Sequence, residues 1–409
     1  MRSGFVFSVF IPDMSGSVSV SENRITDSKG NTRTTYSATA SIVAFPKIII
    51  YRYDPEKRAF TEYNTISLRA AGSSGRSFNS YPGSDNFTGM FDTAVAEFLN
   101  KAGEKGNFEL KKDDNFAIFS GVEEVDWFKV KSSIGTNEDL RIDAPYYVER
   151  KIDDKMKKIG IVKAKKVFDN TENQGQSHFR RIRGSLEQAD RLHEHPWWGV
   201  FLTLGGSFNN AVVQKNGEYG AGGNFYGFKL GFLFDLGYVF NSRAFTELWM
   251  ELYFSAGFGG GADLAKTSDL YPEFDVDNSS SLINLVLDFS RRLYPGGGTF
   301  IAPKVGFILP TVITASLKDS DLDYSGFTAI GLGVSPGLQF GVLFTPDVEL
   351  TLTGEWAFRF PVNVKLDGKK KDEKNGIMED VEDKGLSGYK YKLEGGLGVY
   401  LNLSISKFW

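Results

Sequence analysis

The chain has 409 residues, 41% hydrophobic and 24% charged, a composition typical of a folded protein that can bury a core. Its 45 glycines, 35 phenylalanines and 17 tyrosines favour strands and tight turns over helices. The lack of cysteine excludes disulfides, thiolate nucleophiles and Cys-ligated zinc, and a net charge of −4 gives no net attraction for nucleic acid. The sequence contains no apolar run of the length that a transmembrane helix needs, so a membrane protein of this sequence would have to be a barrel.

The first part of the chain, residues 1–140, predicts an α+β region. It opens with a short aromatic run, Met1 to Ile11, that indicates a strand and not the core of a signal peptide. If the protein lies beyond an inner membrane, we expect this sequence to be a mature form or to carry a trimmed start. A hairpin is predicted around Asp54-Pro55, a Gly/Ser-rich loop over 71–84, and a helix over 90–102 that Gly103 would end.

Residues 141–195 predict a second, smaller β-rich module and a short connector. The runs 160–168 and 178–183 flank a turn region and indicate a hairpin. This part of the chain, near residues 158–184, resembles the strand pairs found in small SH3-like barrels. Because the connector is short, this module would be held close to whatever follows it.

From residue 196 onward the sequence alternates between large apolar and polar or small residues. Between Tyr226 and Phe240 every even position is apolar, over a segment nearly twice as long as an ordinary strand. The same parity recurs in seven further segments, which gives eight predicted strands beginning near Val200, Tyr226, Thr246, Ile283, Ile301, Ile330, Val348 and Tyr391.

A soluble sandwich and a transmembrane barrel both produce this alternation, and the connections distinguish them. The links 241–244, 294–298 and 345–347 are short, whereas 261–280 and 365–388 are long and polar. Short turns at one end, long loops at the other and an even strand number are typical of an outer-membrane barrel. Aromatic residues at the strand ends would form interfacial belts, and the short-turn side contains Trp197, Trp198, Tyr238, Phe240, Phe344 and Trp409.

Residues 197–409 resemble the small eight-stranded outer-membrane barrels of the OmpA, OmpX and OmpW kind. The chain ends in alternating apolar residues and a terminal aromatic, which resembles the signal that the outer-membrane assembly machinery recognises. Its members are Leu401, Leu403, Ile405 and Trp409. The resemblance implies outer-membrane lipid and the assembly machinery as partners.

Charged residues of both signs fall on the predicted inner face of the barrel. An eight-stranded barrel is barely wide enough for its own side chains, so we expect these charges to pair and fill the lumen, although a gated narrow pore is the alternative. The set comprises Lys229, Asp235, Glu247, Glu251, Asp288, Lys304, Glu349, Glu355, Arg359, Lys392 and Glu394.

The sequence offers little for catalysis, metal binding or cofactors. The histidines are His178, His193 and His195, all outside the predicted barrel, so a barrel-borne catalytic triad is excluded. His193 and His195 have no evident third ligand, and the glycine clusters are not followed by the Lys-Ser or Lys-Thr of a phosphate loop. We therefore predict no enzymatic activity, no metal and no cofactor.

A basic cluster lies shortly before the barrel and is the candidate docking patch. If the hairpin forms, part of the cluster makes one positive face that could meet phospholipid headgroups, peptidoglycan or an acidic protein, whereas a solvated strand face is the plain alternative. The patch consists of Lys163, Lys165, Lys166, Arg180, Arg181 and Arg183.

The sequence as a whole predicts a mainly β protein, with an eight-stranded antiparallel transmembrane barrel after an α+β periplasmic region. We expect a non-enzymatic anchor in the outer membrane of a diderm bacterium, whose N-terminal region docks in the periplasm onto a protein complex or peptidoglycan and binds no nucleic acid. A narrow channel or carrier for small apolar compounds, and an adhesin acting through its outer loops, are the alternatives.

Overall fold

The structure is a computed structural model, and it forms two compact units, Met1–Ile118 and Phe119–Trp409. Among the described residues, no helix is long and apolar enough to cross a membrane. The residues described are 4–26, 30, 32–113, 115–127, 129–153, 155–171, 175–215, 218–259, 275–319, 322–371, 378–380 and 391–406.

The first unit contains two three-stranded antiparallel sheets and one long helix. The sheets have the strand orders β1-β4-β5 and β2-β3-β6, and the predicted hairpin is the β4–β5 pair. The elements are β1 (Phe5–Phe10), β2 (Met14–Thr26), β3 (Thr32–Ala44), β4 (Lys47–Asp54), β5 (Ala59–Ser67), β6 (Ala70–Phe78) and α1 (Ser84–Leu110).

The Gly/Ser-rich segment 71–84, predicted as a loop, instead contains strand β6. Its small residues let the helix pack directly on the strand. A Cβ on Gly72 would lie 1.9 Å from the carbonyl oxygen of Ala94 and 2.6 Å from the backbone nitrogen of Phe98. Composition that favours a loop in isolation here marks a close helix–strand contact.

Helix α1 extends beyond the predicted range 90–102 at both ends. Gly103 does not end the helix, which continues through it to Leu110. A Cβ at this position would meet nothing within 4 Å, so no close packing requires the glycine. Gly106 brings the helix against Ile48, whose Cδ1 would lie 2.8 Å from an added Cβ. The packing of α1 against the sheets offsets the cost of about 1 kcal/mol that each interior glycine imposes.

The second unit begins with a seven-stranded antiparallel sheet of order β7-β13-β10-β11-β12-β9-β8. The sheet starts at Phe119, earlier than the division that the sequence predicts between residues 140 and 141, because β7 pairs with β13 and β9 pairs with β12. Its SH3-like character stays a prediction. The elements are β7 (Phe119–Gly121), β8 (Glu124–Val125), β9 (Lys129–Ser132), a 3-10 turn (Thr136–Glu138), β10 (Pro145–Ile152), β11 (Lys155–Lys166), β12 (Ser177–Gly184) and β13 (Arg191–Glu194).

The remainder of the second unit is a closed antiparallel barrel with eight strand positions in the part that the structure describes, which confirms the predicted fold class. Closure occurs where β14 pairs with β15 on one side and with β24 and β25 on the other. Two positions are each made of two segments, β21 with β22 and β24 with β25. The elements are β14 (Val200–Lys215), β15 (Glu218–Asp235), α2 (Leu236–Val239), a 3-10 turn (Arg243–Phe245), β16 (Leu248–Gly259), β17 (Asp275–Arg291), β18 (Leu293–Gly296), β19 (Thr299–Asp319), β20 (Leu322–Thr345), β21 (Val348–Trp356), β22 (Phe358–Lys371), β23 (Met378–Asp380), β24 (Tyr391–Glu394) and β25 (Leu397–Ile405).

The predicted side-chain parity holds along these strands. Leu332 on β20 is 48% exposed and Leu252 on β16 is 40% exposed, whereas Thr351 and Glu251 are buried inside. An apolar band therefore covers the outside of a closed barrel, which is the arrangement required to face lipid. The band includes Phe228, Leu230, Phe254, Val305, Phe307, Leu338, Phe340, Leu350, Leu352, Phe358, Leu401 and Leu403.

The short-turn end differs from the predicted aromatic belt in two side chains. Trp198, Phe240 and Phe344 are exposed as predicted, but Trp197 is buried and Tyr238 donates a hydrogen bond to its carbonyl oxygen at 2.7 Å. These two rings pack within the second unit and do not face lipid. Trp409 lies outside the described residues.

Candidate functional site

The middle of the barrel interior contains one closely packed ion pair. Lys229 on β15 donates to Glu251 on β16 at 2.8 Å, and both side chains are buried. The Lys229 ammonium also lies 3.8 Å from the ring centre of Tyr253, a cation–π contact. The Lys229–Glu251 ion pair and the Tyr253 ring therefore fill this part of the lumen.

Lys304 on β19 occupies the adjoining layer of the interior. It forms a short hydrogen bond to Asp288 and another to Glu355 at 2.6 Å. The Tyr400 hydroxyl donates to Glu355 at 3.1 Å and so extends the network to the neighbouring strand β25. Gly306 makes room for it, because a Cβ there would lie 2.1 Å from a carboxylate oxygen of Asp288. The lysine and its two carboxylates thus form a buried, hydrogen-bonded network that plugs this layer of the lumen.

Arg292 forms the third interior pair, and the sequence prediction missed it. Its guanidinium binds both carboxylate oxygens of Glu349 at 2.7 and 2.6 Å, and it stacks 3.7 Å from the ring centre of Trp249. Arg292 lies one residue beyond β17, where the strand alternation no longer assigns a face. The alternation along the strand places Glu349 on the inner face, and a buried carboxylate requires a partner, which indicates a cation nearby.

The remaining predicted interior charges behave differently. Arg359 is buried but donates to the backbone carbonyl oxygen of Asn210 at 3.2 Å, while Glu355 binds Lys304. The side chains of Lys392 and Glu394 lie outside the part of the chain whose side chains the structure describes.

Asp235 and Glu247 lie at the short-turn end and bind a lysine from the seven-stranded sheet. Lys163 on β11 donates to Asp235 at 2.7 Å and lies 3.8 Å from Glu247. Although burial opposes it, the charges of these two carboxylates raise the pKa of Lys163. Lys163 is 3% exposed, which corrects the prediction that it belongs to an exposed docking patch.

Asp143 completes this junction from the loop before β10. Its carboxylate accepts a hydrogen bond from the backbone N–H of Glu247 at 2.7 Å. Burial and the neighbouring charge of Asp235 raise the pKa of the Asp143 carboxyl to about 9. The raised pKa favours the neutral carboxyl of Asp143 at pH 7, which limits the negative charge buried beside Lys163.

Further contacts fix the seven-stranded sheet to the short turns of the barrel. His195 hydrogen-bonds to Asp347 at 2.9 Å, and Asp347 also accepts from the Ser406 hydroxyl at 2.7 Å. Arg183 donates to the carbonyl oxygen of Phe344 at 3.2 Å. An apolar cluster joins the two parts, formed by Ile161 and Ile182 of the sheet and Tyr294, Phe300, Ala302 and Leu343 of the barrel. Buried polar and apolar contacts together make the sheet and barrel one compact body.

The other two histidines lie in the seven-stranded sheet. His193 is 2.8 Å from Glu149, which also binds Arg191, so it belongs to a local ion-pair network. His178 lies on β12. Within the described ranges, no group of three His, Cys, Asp or Glu side chains is arranged to hold a metal ion.

The residues of the predicted docking patch lie in different surroundings. Lys163 is buried and Arg183 contacts the turn at Phe344, whereas Lys165, Lys166 and Arg180 line a cavity. Arg181 lies on β12 without lining that cavity.

Leu401, Leu403 and Ile405 of the predicted assembly signal lie on the final strand. Leu401 and Leu403 point outward into the apolar band, and Ile405 is half-buried at the end of β25. Trp409 lies outside the described residues.

These features decide the class of protein: eight antiparallel strands close on themselves, their outer face is apolar, and their inner face is charged and largely paired. The barrel is an outer-membrane barrel. No protein-family model and no curated protein matches the sequence.

Several solved structures similar to the barrel half are small outer-membrane proteins. A major outer membrane protein from Thermus thermophilus is 13% identical with a TM-score of 0.33, over 51% of this chain and 99% of its own. Neisserial surface protein A is 11% identical with a TM-score of 0.28, over 51% and 97%. Ail, the attachment invasion locus protein of Yersinia pestis, is 11% identical with a TM-score of 0.28, over 50% and 96%. Similarity this low says nothing about activity, so the assignment of the barrel rests on its own strand pairing and apolar band.

Proposed function

We propose that this protein is a non-enzymatic outer-membrane anchor that holds its N-terminal region, residues 1–195, in the periplasm for docking onto a protein complex or peptidoglycan. One observation carries the proposal: a buried junction joins the seven-stranded sheet to the short-turn end of the barrel. Lys163 with Asp235, Asp143 with Glu247, and His195 with Asp347 all cross it. A flexible tether would need none of these buried contacts.

The side of the membrane follows from the length of the connections. In barrels of the outer-membrane type the short turns face the periplasm and the long loops face outward. The sheet is attached to the short turns, which supports a periplasmic position for it. The long links 261–280 and 365–388, on which an adhesin would depend, fall largely outside the described residues.

The interior pairs weigh against the channel alternative. Lys229, Lys304 and Arg292 each bind carboxylates inside the barrel, and large rings fill the space beside them. An ion that crosses this lumen would have to break several buried pairs, each of which strands a charge when broken.

Site-specific crosslinking tests the proposal in intact cells. The chain contains no cysteine, so a single cysteine can carry a photo-crosslinker. Met156→Cys places it on the exposed part of β11, and Val362→Cys on the barrel surface serves as the matched control. We expect one recurring adduct, a protein or peptidoglycan, from Met156→Cys and none from Val362→Cys. A barrel of residues 196–409 that fully restores a deletion phenotype would contradict the docking role.

A further inference from the structure

A cavity of about 400 Å³ lies where the seven-stranded sheet meets the barrel turns, and its lining is strongly basic. Lys129 comes from β9, Lys165 and Lys166 from β11, Arg180 from β12, and Arg243 from the turn after β15. Four separate segments thus direct five cations into one space. The volume lies in the range of about 300–1,000 Å³ typical of pockets that hold a small ligand.

The positive charge of this cavity is largely uncompensated. Among the described residues, Glu247 is a carboxylate near the lining, and its distance to the Arg180 guanidinium is 3.8 Å. No described carboxylate forms an ion pair with Lys129, Lys165 or Lys166. Lys229, Lys304 and Arg292 inside the barrel each have a carboxylate within hydrogen-bond distance, so the cavity differs from this part of the lumen in how its charges are paired.

Two lining groups respond to this crowding. The charge of Arg180 lowers the pKa of Lys165. Burial, followed by the charges of Lys166, Lys131 and Lys129, lowers the pKa of His178, and Glu124 opposes this only weakly. Neighbouring cations therefore favour the deprotonated form of Lys165 and add to the effect of burial on His178, and a bound anion would oppose this influence.

The cavity adjoins the lipid-facing surface. Leu293 lines it and is itself 55% exposed, and the turn that carries Arg243 also carries the exposed ring of Phe245. Exposed apolar and aromatic side chains at a strand end mark the headgroup level of a membrane. A ligand there can place an anionic group among the cations and an apolar tail along the barrel.

We propose that this cavity binds the phosphate of an anionic phospholipid headgroup in the leaflet at the short-turn end of the barrel. Lysine and arginine donors from several directions match the oxygens of a phosphate, and Leu293 continues the site onto the acyl-chain region. The inference goes beyond the anchor role: it assigns Lys165, Lys166 and Arg180 to lipid, so partner docking would use other surfaces of residues 1–195.

Lipid retention in nanodiscs tests the site. The full chain is placed in discs of phosphatidylglycerol mixed with phosphatidylcholine, extracted gently, and its retained lipid counted by native mass spectrometry. We expect retention of phosphatidylglycerol over phosphatidylcholine, and a loss of about tenfold in the double variant Lys165→Gln/Arg243→Gln, because hydrogen bonds to a charged phosphate disappear. Arg181→Gln on the same sheet is the matched control and should retain lipid like the wild type. Equal retention of both lipids, or equal loss in the control, would overturn the proposal.

Histidine NMR gives a second measurement and separates the possible sources of phosphate. The chain has three histidines, so histidine-labelled protein gives few signals, and His178→Gln assigns the relevant one. In phosphatidylglycerol discs the pKa of His178 should rise toward its ordinary value of 6.5, and in pure phosphatidylcholine it should not. A rise caused by inorganic phosphate in phosphatidylcholine discs, with none from phosphatidylglycerol, would replace the lipid by a free phosphate ligand and contradict the proposal. The crosslinking outcome is independent of either result, so failure of the lipid site leaves the anchor role to be judged separately.

Discussion

The barrel interior and the basic cavity beside it both contain several charged side chains, but the charges are mostly paired in the barrel and mostly of one sign in the cavity. Inside the barrel, Lys304 lies between two carboxylates and Arg292 is held by both oxygens of Glu349. In the cavity, Lys165 and Lys166 have cations as neighbours. Paired charges fill and close a space, whereas unpaired charges of one sign prepare a space for a ligand of the other sign.

Lys163 and Lys165 give the sharpest version of this contrast, because they lie two residues apart on β11. Lys163→Met would strand Asp235 and Glu247 beneath the barrel and should lower the free energy of unfolding by about 3–5 kcal/mol. Lys165→Met removes only a repelled, exposed cation and should change stability by about 0.5 kcal/mol or less. Urea unfolding of both variants in detergent measures the difference. Equal destabilisation would mean that the two lysines do not differ in the way described.

The outer face of the barrel tests the same comparison from the lipid side. Leu332→Arg places a cation in the apolar band without a carboxylate partner and should destabilise the barrel by about 2–4 kcal/mol near the bilayer midplane. Leu332→Ala is the control and should cost much less, because no charge enters lipid. Folding titrations in lipid vesicles measure both. A neutral Leu332→Arg variant would place this position in water and refute the membrane barrel.

A smaller effect is expected at the Arg150–Asp190 pair of the seven-stranded sheet. Asp190 binds the guanidinium at 2.7 and 2.9 Å; burial would raise its pKa, but the hydrogen bonds from Arg150 lower it below the ordinary value of 3.8. A carboxyl whose folded pKa is lowered stabilises the fold above its unfolded pKa, and this contribution is lost as the pH falls through the folded pKa.

The stability gap between the wild type and Asp190→Asn should therefore be constant near pH 7 and shrink as the pH falls below about 4. Urea midpoints between about pH 3 and pH 7 measure this gap. Glu124→Gln, which removes an exposed pair with Lys131, is the control and should show little gap at any pH. A gap that widens in acid would reverse the assigned direction.

The sequence predicts the barrel well because one strong physical rule governs it: side chains alternate between lipid and lumen along every strand. The parity alone assigns Leu332 to lipid and Lys304 to the interior. Arg292 escapes that rule because it follows the end of a strand, and only the buried partner Glu349 reveals it. The end of β15 also departs from the prediction, since Asp235 caps a helical turn by accepting from the backbone N–H of Tyr238.

The structures of the seven-stranded sheet and of the first unit are harder to predict from the sequence, for a different reason. Alternation places Lys163 and Lys165 on the same face of β11, and it cannot reveal the irregular register between Ala164 and Lys166 that separates the buried lysine from the exposed one. In the first unit, the helix packs so closely on Gly72 that no larger residue fits there. Local composition, by contrast, interprets the same glycine as part of a loop. Contacts between elements distant in sequence decide both cases.

Planar-bilayer recording of the purified chain tests most directly whether paired charges close the barrel. With Lys229, Lys304 and Arg292 bound to carboxylates inside the barrel, we predict no large, stable openings at moderate voltage. An open porin in the same bilayer provides the positive control. Large and stable single-channel openings from the folded protein would contradict a closed interior and favour the channel over the anchor.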